Sequence, residues 1–263
     1  MIEPINHDKE LSLIFVNYRS ILHLSLALES LQQDMFFRQH TEVIVVNQDI
    51  DEQTAARKLS EQRGFRLIDR ENLGFASGAN EGASVSTGTY LAFLNPDIRQ
   101  YSGSLREGVL ALRKDTRLGV VGATLLNKEN TPEKWSKGRF ITLFRLIGNN
   151  IFPAIHRARG RKVDWVSGGA LFIKKERFQS LGGFDEDFFL YFEDMDLCQR
   201  AKKDGFHTES IDTIRFSHQG GQSFSSKQVQ KKHYFDSQRR YFRKHRPRWE
   251  QTLLSVFQNI KIW

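Results

Sequence analysis

The sequence predicts an α/β domain whose mostly parallel central sheet lies between helices. Two observations carry this prediction. Short β-favouring runs alternate with helical stretches through the first half of the chain. Several of these runs also finish on a polar residue: Asn17, Asn47, Asn72 just past its strand, and Asp97. Strands alternating with helices at this spacing pair in parallel and are covered on both faces. In such sheets the ligand crevice lies outside the carboxyl ends of the strands. A chain of 263 residues, 39% hydrophobic and 12% aromatic, can bury one large core of this kind.

Each element follows from its local pattern. Leu11 to Tyr18, LSLIFVNY, reads as a buried strand, and Ser20 is placed to cap the helix ILHLSLALESLQQ, with Leu22, Leu26 and Leu28 towards the core. EVIVVN (42–47) is nearly all β-branched and reads as a second strand. A polar helix follows from about Asp51 to Arg63, with Gly64 as its stop. FRLIDR (65–70) is a third, short strand and GFASGANEGASVS a helix. YLAFL (90–94) is a strand broken by Asn95, Pro96 and Asp97; SGSLREGVLALRKD is then a helix and GVVGATLL (119–126) a strand. From Asn127 to Val163 charges mix with the apolar stretch Phe140 to Ile155, which reads as a long, partly helical excursion. DWVSGGALFIKKERF (164–178) returns to a strand and a turn, and Asp196 to Lys203 is helical.

Charge and cysteine content narrow the surroundings. The one cysteine, Cys198, allows no intrachain disulfide, which suits a reducing compartment. The first fifteen residues carry acids and a proline where a signal peptide needs a basic start and an apolar stretch. No run approaches the roughly 18 apolar residues of a membrane-spanning helix. A cytoplasmic protein, peripheral to the inner face of the membrane, is the expectation. The net charge of +8 is local: Lys227 to Arg248 holds nine Lys or Arg against Asp236, and the remainder balances. Such a patch calls for an anionic partner and says nothing of fold.

The most informative stretch is GGFDEDFFLYFEDMDLCQR (182–200), where six acids interleave with five aromatic residues. Glu193 and Asp194 could simply favour a helix N-terminus. Two adjacent carboxylates beside aromatic residues would equally make a general base, because apolar surroundings raise a carboxylate's pKa. Asp97 likewise reads either as a turn former or as a ligand-facing carboxylate. Gly74, Gly78 and Gly82 fall roughly on one helix face, which alone suggests close packing, and they are not a dinucleotide fingerprint. Gly168 and Gly169 suit either a close approach of backbone to a ligand or a β-bulge.

The order NLGFASGANEG, YLAFLNPD, WVSGGALFIKKERFQSLGGFDEDFFLYFEDMDLCQR, SHQGGQS resembles the inverting family 2 glycosyltransferases of the GT-A fold, bacterial rhamnosyltransferases of polysaccharide assembly being the nearest subgroup. The resemblance covers about residues 11 to 225. It implies a catalytic domain over 1–226, with a nucleotide-binding half (1–126) and an acceptor-binding half (127–226), followed by a helical tail (227–263). It also implies transfer of a sugar, rhamnose first among candidates, from a dTDP- or UDP-linked donor to a saccharide or lipid-diphosphate-linked acceptor, with a divalent Mg or Mn ion. Asp194 would be the base and Glu193 would orient the acceptor. Asn17, Asn47, Asn72, Gly74, Asn80, Asn95 and Asp97 would line the donor site, with Asp97 and His218 on the metal. Trp165, Gly168 and Gly169 would face the acceptor. Where the family usually has Asp-x-Asp this chain has Asn95, and where it usually has an Asp reading the base it has Asn47 and Gln48. A non-catalytic relative that binds sugar nucleotide or polysaccharide is the alternative those departures leave open. A homodimer is compatible with either.

The tail KKHYFDSQRRYFRKHRPRW mixes bases with Tyr234, Phe235, Tyr241, Phe242 and Trp249. It predicts either a solvated helix or an interfacial one whose rings enter a headgroup layer while its bases meet anionic lipid. Nucleic acid would suit the charge, but no nucleic-acid motif accompanies it.

Overall fold

The structure, a computed structural model, describes residues 9–146, 162–218 and 227–259. The alternation appears as β1 (Leu11–Asn17), α1 (Ile21–Ser30), α2 (Met35–His40), β2 (Thr41–Asn47), α3 (Gln53–Arg63), β3 (Arg66–Asp69), α4 (Phe75–Ser84), β4 (Tyr90–Leu94), β5 (Ile98–Ser102), α5 (Arg106–Lys114) and β6 (Leu118–Leu126). After it come β7 (Lys137–Gly138), helical residues 143–146 (α6), β8 (Lys162–Val163), β9 (Trp165–Val166), β10 (Ala170–Lys174) and α7 (Lys175–Ser180). The last described elements are α8 (Glu193–Lys203), β11 (His207–His218), α9 (Lys227–His245) and α10 (Arg248–Asn259). Residues 147–155 of the apolar excursion, and the glycines after His218, lie outside the described residues.

The sheet runs β3-β2-β1-β4-β10-β6-β11-β5, with β8 on β11. Its first four strands are parallel, β6 and β11 are parallel, and β10 enters antiparallel between β4 and β6. Three residues link β4 to β5. They span at most about 14 Å, whereas four strand spacings need about 19 Å. The sheet therefore curls to bring β5 onto β11, where Ile98 sits opposite His218. Side chains alternate between two cores: Leu13 and Phe15 pack on one face with Leu24, Val45 and Phe172, while Ile14 packs on the other with Phe93, Phe184 and Phe188.

Several local expectations are corrected. In α1 the core face is Ile21, Leu24, Ala27 and Leu28, and Leu22 is 77% exposed and Leu26 41%. The helix packs through the positions three and four apart that include Ile21, and Leu22 falls on the outer face. Ser20 does not cap it. The Glu52 carboxylate does so, accepting from the Ser20 N–H at 2.9 Å and the Ile21 N–H at 3.2 Å. The turn expected after β10 is the helix α7. β5 and β11 were not anticipated, because their runs IRQYS and HTESIDTIRFSH carry too many polar residues to read as core strands. In the tail, Tyr241 and Phe242 are fully buried in the second core with Tyr234 packed against it, so these rings cannot enter a headgroup layer.

Candidate active site

Strand register gathers the polar strand ends along one edge. Asn17 is level with Asn47, Asn47 with Asp69, Ala170 with Leu94, and Ser217 with Leu126. The residues expected at the site, Asn80 apart, fall into three groups.

The first group forms where β5 meets β11. His218 Nε2 lies 3.5 Å from Asp97 Oδ1, and its Nδ1 lies 3.0 Å from Glu133 Oε2. Glu133 is held by its own N–H, which donates to Leu125 O at 2.8 Å. Burial would lower the ring's pKa, but hydrogen bonds and charge from Asp97 and Glu133 outweigh it and lift the pKa to about 10. Two carboxylates thus converge on one cationic ring. A divalent cation would fit in place of the ring's proton: the Asp97 carboxylate oxygen faces one imidazole nitrogen, and the ring's other nitrogen is held by a second carboxylate, the usual support of a metal-binding histidine. Among the described residues no group of three acid, His or Cys side chains is arranged to hold a metal ion, and Asp97 and His218 are the two candidate donors that face each other. Sequence reasoning missed Glu133. It sits in a charged loop, and only the pairing of β5 with β11 reveals its use.

The second group is the acidic pair. Tyr191 and Phe192 adopt the left-handed conformation (φ 70 and 68), which non-glycine residues avoid, and α8 starts directly after them. Asp194 accepts from the Gly168 N–H at 2.8 Å and the Met195 N–H at 2.6 Å. Burial raises its pKa to about 6, against the pull of those N–H donors. Glu193 is buried, and desolvation together with the Asp194 charge pushes it well above the usual carboxylate range. Its Oε2 has no hydrogen-bond partner. The two carboxyls are thus held differently: Glu193 is pushed up by burial and by the Asp194 charge, and Asp194, at about 6, can accept a proton near neutral pH. Gly169 O accepts the Asn95 N–H at 3.0 Å, which ties this group to the end of β4. Trp165 is partly buried, and its ring N–H donates to Arg139 O at 3.2 Å.

The third group lies at β1, β2 and β3. Asn17 Nδ2 donates to Asn47 Oδ1 at 2.9 Å and to Glu52 Oε2 at 3.0 Å, and Asn47 Nδ2 donates to Asp69 Oδ1 at 2.9 Å. Asn47 can donate to Asp69 because it is an amide. Asp69, braced by Arg57 at 3.1 Å, thus supplies a carboxylate next to where the family usually has one. Asn72 Oδ1 accepts the Gly74 N–H at 3.1 Å in a turn. Gly74 (φ 94) lies under the 189–192 segment: a Cβ there would sit 2.3 Å from Phe189 O, whose carbonyl accepts the Phe75 N–H at 2.9 Å. Gly78 and Gly82 pack against Val16 and Ile14, the close packing their spacing suggested. Asn80 does not join the strand ends. Its amide is used by the Phe184 backbone and by Glu186, each at 2.9 Å.

The family model described as "Glycosyl transferase family 2" matches residues 12–182, and one described as "N-terminal domain of galactosyltransferase" matches residues 160–221. The chain is 27% identical to the low-salt glycan biosynthesis hexosyltransferase Agl10 of Haloferax volcanii, over 94% of this chain and 81% of that one. It is 26% identical to the N-acetylglucosaminyl-diphospho-decaprenol L-rhamnosyltransferase of Mycobacterium tuberculosis, over 47% of this chain and 45% of that protein, and so spans about half the length of that relative. Its fold resembles that of the mannosyltransferase PcManGT from Pyrobaculum calidifontis, solved in complex with GDP-Man and Mn2+, with a TM-score of 0.63, 16% identity, and coverage of 91% and 64% of the two chains. Because the first family match extends over well more than half of its length, the chain belongs to glycosyl transferase family 2 and is a glycosyltransferase.

Proposed function

We propose that the chain catalyses inverting transfer of a hexosyl group, rhamnose first among candidates, from a dTDP- or UDP-linked donor to a saccharide acceptor carried on a lipid diphosphate. The observation that carries this reading is Asp194: a carboxylate with a pKa near 6, fixed by the Gly168 N–H at the head of α8 and adjoining the strand ends. The printed names of the haloarchaeal and mycobacterial relatives, a hexosyltransferase and a rhamnosyltransferase on a diphospho-decaprenol carrier, support the sugar and acceptor classes.

In this reading the oxygen of an acceptor hydroxyl bonds to the anomeric carbon from the face opposite the nucleoside diphosphate. The bond from that carbon to the diphosphate breaks, and the diphosphate leaves with the electron pair. The hydroxyl proton passes to Asp194, and the configuration inverts. Glu193 orients the acceptor. Asn17, Asn47, Asp69, Asn72 and Gly74 form the donor side, and Trp165, Gly168 and Gly169 the acceptor side. A divalent cation held by Asp97 and His218 would, when bound, offset the charge gathering on the departing diphosphate. Residues 1–126 would then serve the donor and 127–226 the acceptor.

The test is thermal unfolding with dTDP, UDP and GDP, each with and without Mn2+. A ligand at about 100 times its dissociation constant adds about 2.7 kcal/mol, which for a chain of this size raises Tm by about 5–10 °C. A metal-dependent rise with dTDP or UDP is expected and would also name the donor's base. A flat response to all three overturns the donor assignment.

A further inference from the structure

Segment 189–192 is an arch between three parts of the molecule. Its carbonyl at Phe189 receives the Phe75 N–H beside Gly74, on the donor side. Its far end runs directly into Glu193 and Asp194. Two consecutive non-glycine residues there, Tyr191 and Phe192, are left-handed, a conformation that persists only where the surroundings impose it. The restraint comes from α9. Ser237 Oγ donates to Leu190 O at 2.7 Å, and Gln230 Nε2 donates to Tyr191 Oη at 2.8 Å. Tyr234 and Tyr241 pack on the Phe192 ring, with centroids 5.3 and 5.6 Å away. Beyond the arch, His245 Nε2 meets Asp196 Oδ1 at 2.7 Å, and both side chains are almost wholly buried. One helix therefore grips the arch ahead of the acidic pair and α8 two residues after it.

We propose that α9 is the positioning clamp of the acidic pair, with Ser237 and His245 as positioning residues that fix the arch and the first turn of α8 so that Asp194 faces the acceptor hydroxyl. This rests on the reading of Asp194 as base. Neither residue touches substrate in this scheme; each acts through backbone or through Asp196. A clamp of this kind acts first on kcat: Ser237 and His245 hold the stretch from Leu190 to Asp196, while the donor side rests on β1, β2 and β3 and meets the arch only at Phe189. It also accounts for the tail's aromatic residues, which the expectation of a headgroup-facing helix left without a structural role.

The experiment compares the full-length protein with Ser237→Ala, His245→Ala and His245→Gln. It measures kcat, donor KM, nucleotide affinity by calorimetry, and amide hydrogen exchange over 190–196. Displacing a catalytic group by about 1 Å costs up to about 100-fold in rate. Ser237→Ala and His245→Ala should each lower kcat about 10- to 100-fold, with donor KM and nucleotide affinity unchanged within about twofold and exchange faster over 190–196. His245→Gln, which keeps a donor towards Asp196, should recover most of the rate. Unchanged kcat and exchange in Ser237→Ala overturns the clamp. So does a loss of kcat and nucleotide affinity in parallel with a global fall in Tm, which would mark α9 as general scaffold. Asp194→Asn is run alongside: if it transfers sugar at the wild-type rate the base assignment fails, whereas the exchange data still decide whether α9 holds the arch.

Discussion

At the scale of single residues, the two neighbouring carboxyls of α8 differ in what surrounds them. Asp194 takes two backbone N–H donors and Glu193 Oε2 takes none. That asymmetry holds the Asp194 pKa to about 6, while Glu193 is pushed well above the usual carboxylate range. As base, Asp194 must be ionised, so kcat should fall about tenfold per pH unit below about 6 and level off above it. Asp194→Asn should lower kcat by about 10²–10⁴-fold. Its effect on stability runs the other way. A carboxyl whose pKa is raised on folding contributes stability below the unfolded pKa and loses it as pH rises through the folded value, here between about 4 and 6. The neutral Asn should therefore leave Tm at pH 7 equal or higher, and a lower Tm would contradict the environment described for Asp194. Asp196, two residues on, has the opposite sign. Burial raises its pKa, but His245, Arg200 and Lys244 together pull it down to about 2, so its contribution is present above about 4 and lost only as pH falls through 2.

At the scale of elements, what was legible in the sequence follows from how local the cause is. β1, β2 and β4 were readable because a strand buried on both faces needs a continuous apolar run, and Asp97 was readable because such a run ends abruptly in Asn-Pro-Asp. Gly64, left-handed at φ 70, is a local requirement and was found. β11 was not, since its pattern is set by three partner strands and an irregular register between Ile211 and Arg215. Glu133 was invisible for the same reason: its importance is conferred by His218, 85 residues away. The Gly74 turn sits between these cases, expected from the motif but explained only by Phe189. Gly74→Ala places a methyl group against a backbone carbonyl at φ 94 and should destabilise by about 2–3 kcal/mol, read as a lower Tm together with weaker nucleotide binding. A variant that keeps both would mean that the turn relaxes freely and does not shape the donor side.

At the scale of the whole molecule, the excess positive charge of α9 and the exposed apolar residues of α10 share one helical hairpin. With Tyr241 and Phe242 committed to the core, the side chains available to a membrane surface are Trp249, Leu253 and Val256 on α10, with Phe144 against Trp249 at 5.8 Å, and the exposed bases Arg243 and Arg248. No helix among the described residues is long and apolar enough to cross a membrane. We propose peripheral binding to anionic lipid through this face. Sedimentation with vesicles containing anionic lipid should capture the protein at low salt, and Trp249→Ala combined with Leu253→Ser should reduce capture several-fold without changing Tm by more than about 2 °C. Equal capture of that variant, or equal capture by neutral vesicles, removes the proposal. Deleting residues 227–263 would be a poor test, since it strips two fully buried rings from the core, each costing about 3–5 kcal/mol when lost.

The insertion of β10 between β4 and β6 also has a consequence for how the chain assembles. β4 and β6 are complete by residue 126, yet the strand that joins them begins at Ala170 and the one that closes the curled edge ends at His218. Until those residues leave the ribosome, β4 has one bare edge and β6 two, the kind of surface that invites pairing with another chain. Closing loops of this length is slow relative to the local β1–α1–β2 contacts. The half of the sheet holding Asp97 and His218 is thus completed only after β1–β4, and a chain cut short before His218 carries those strands without the acid–histidine pair.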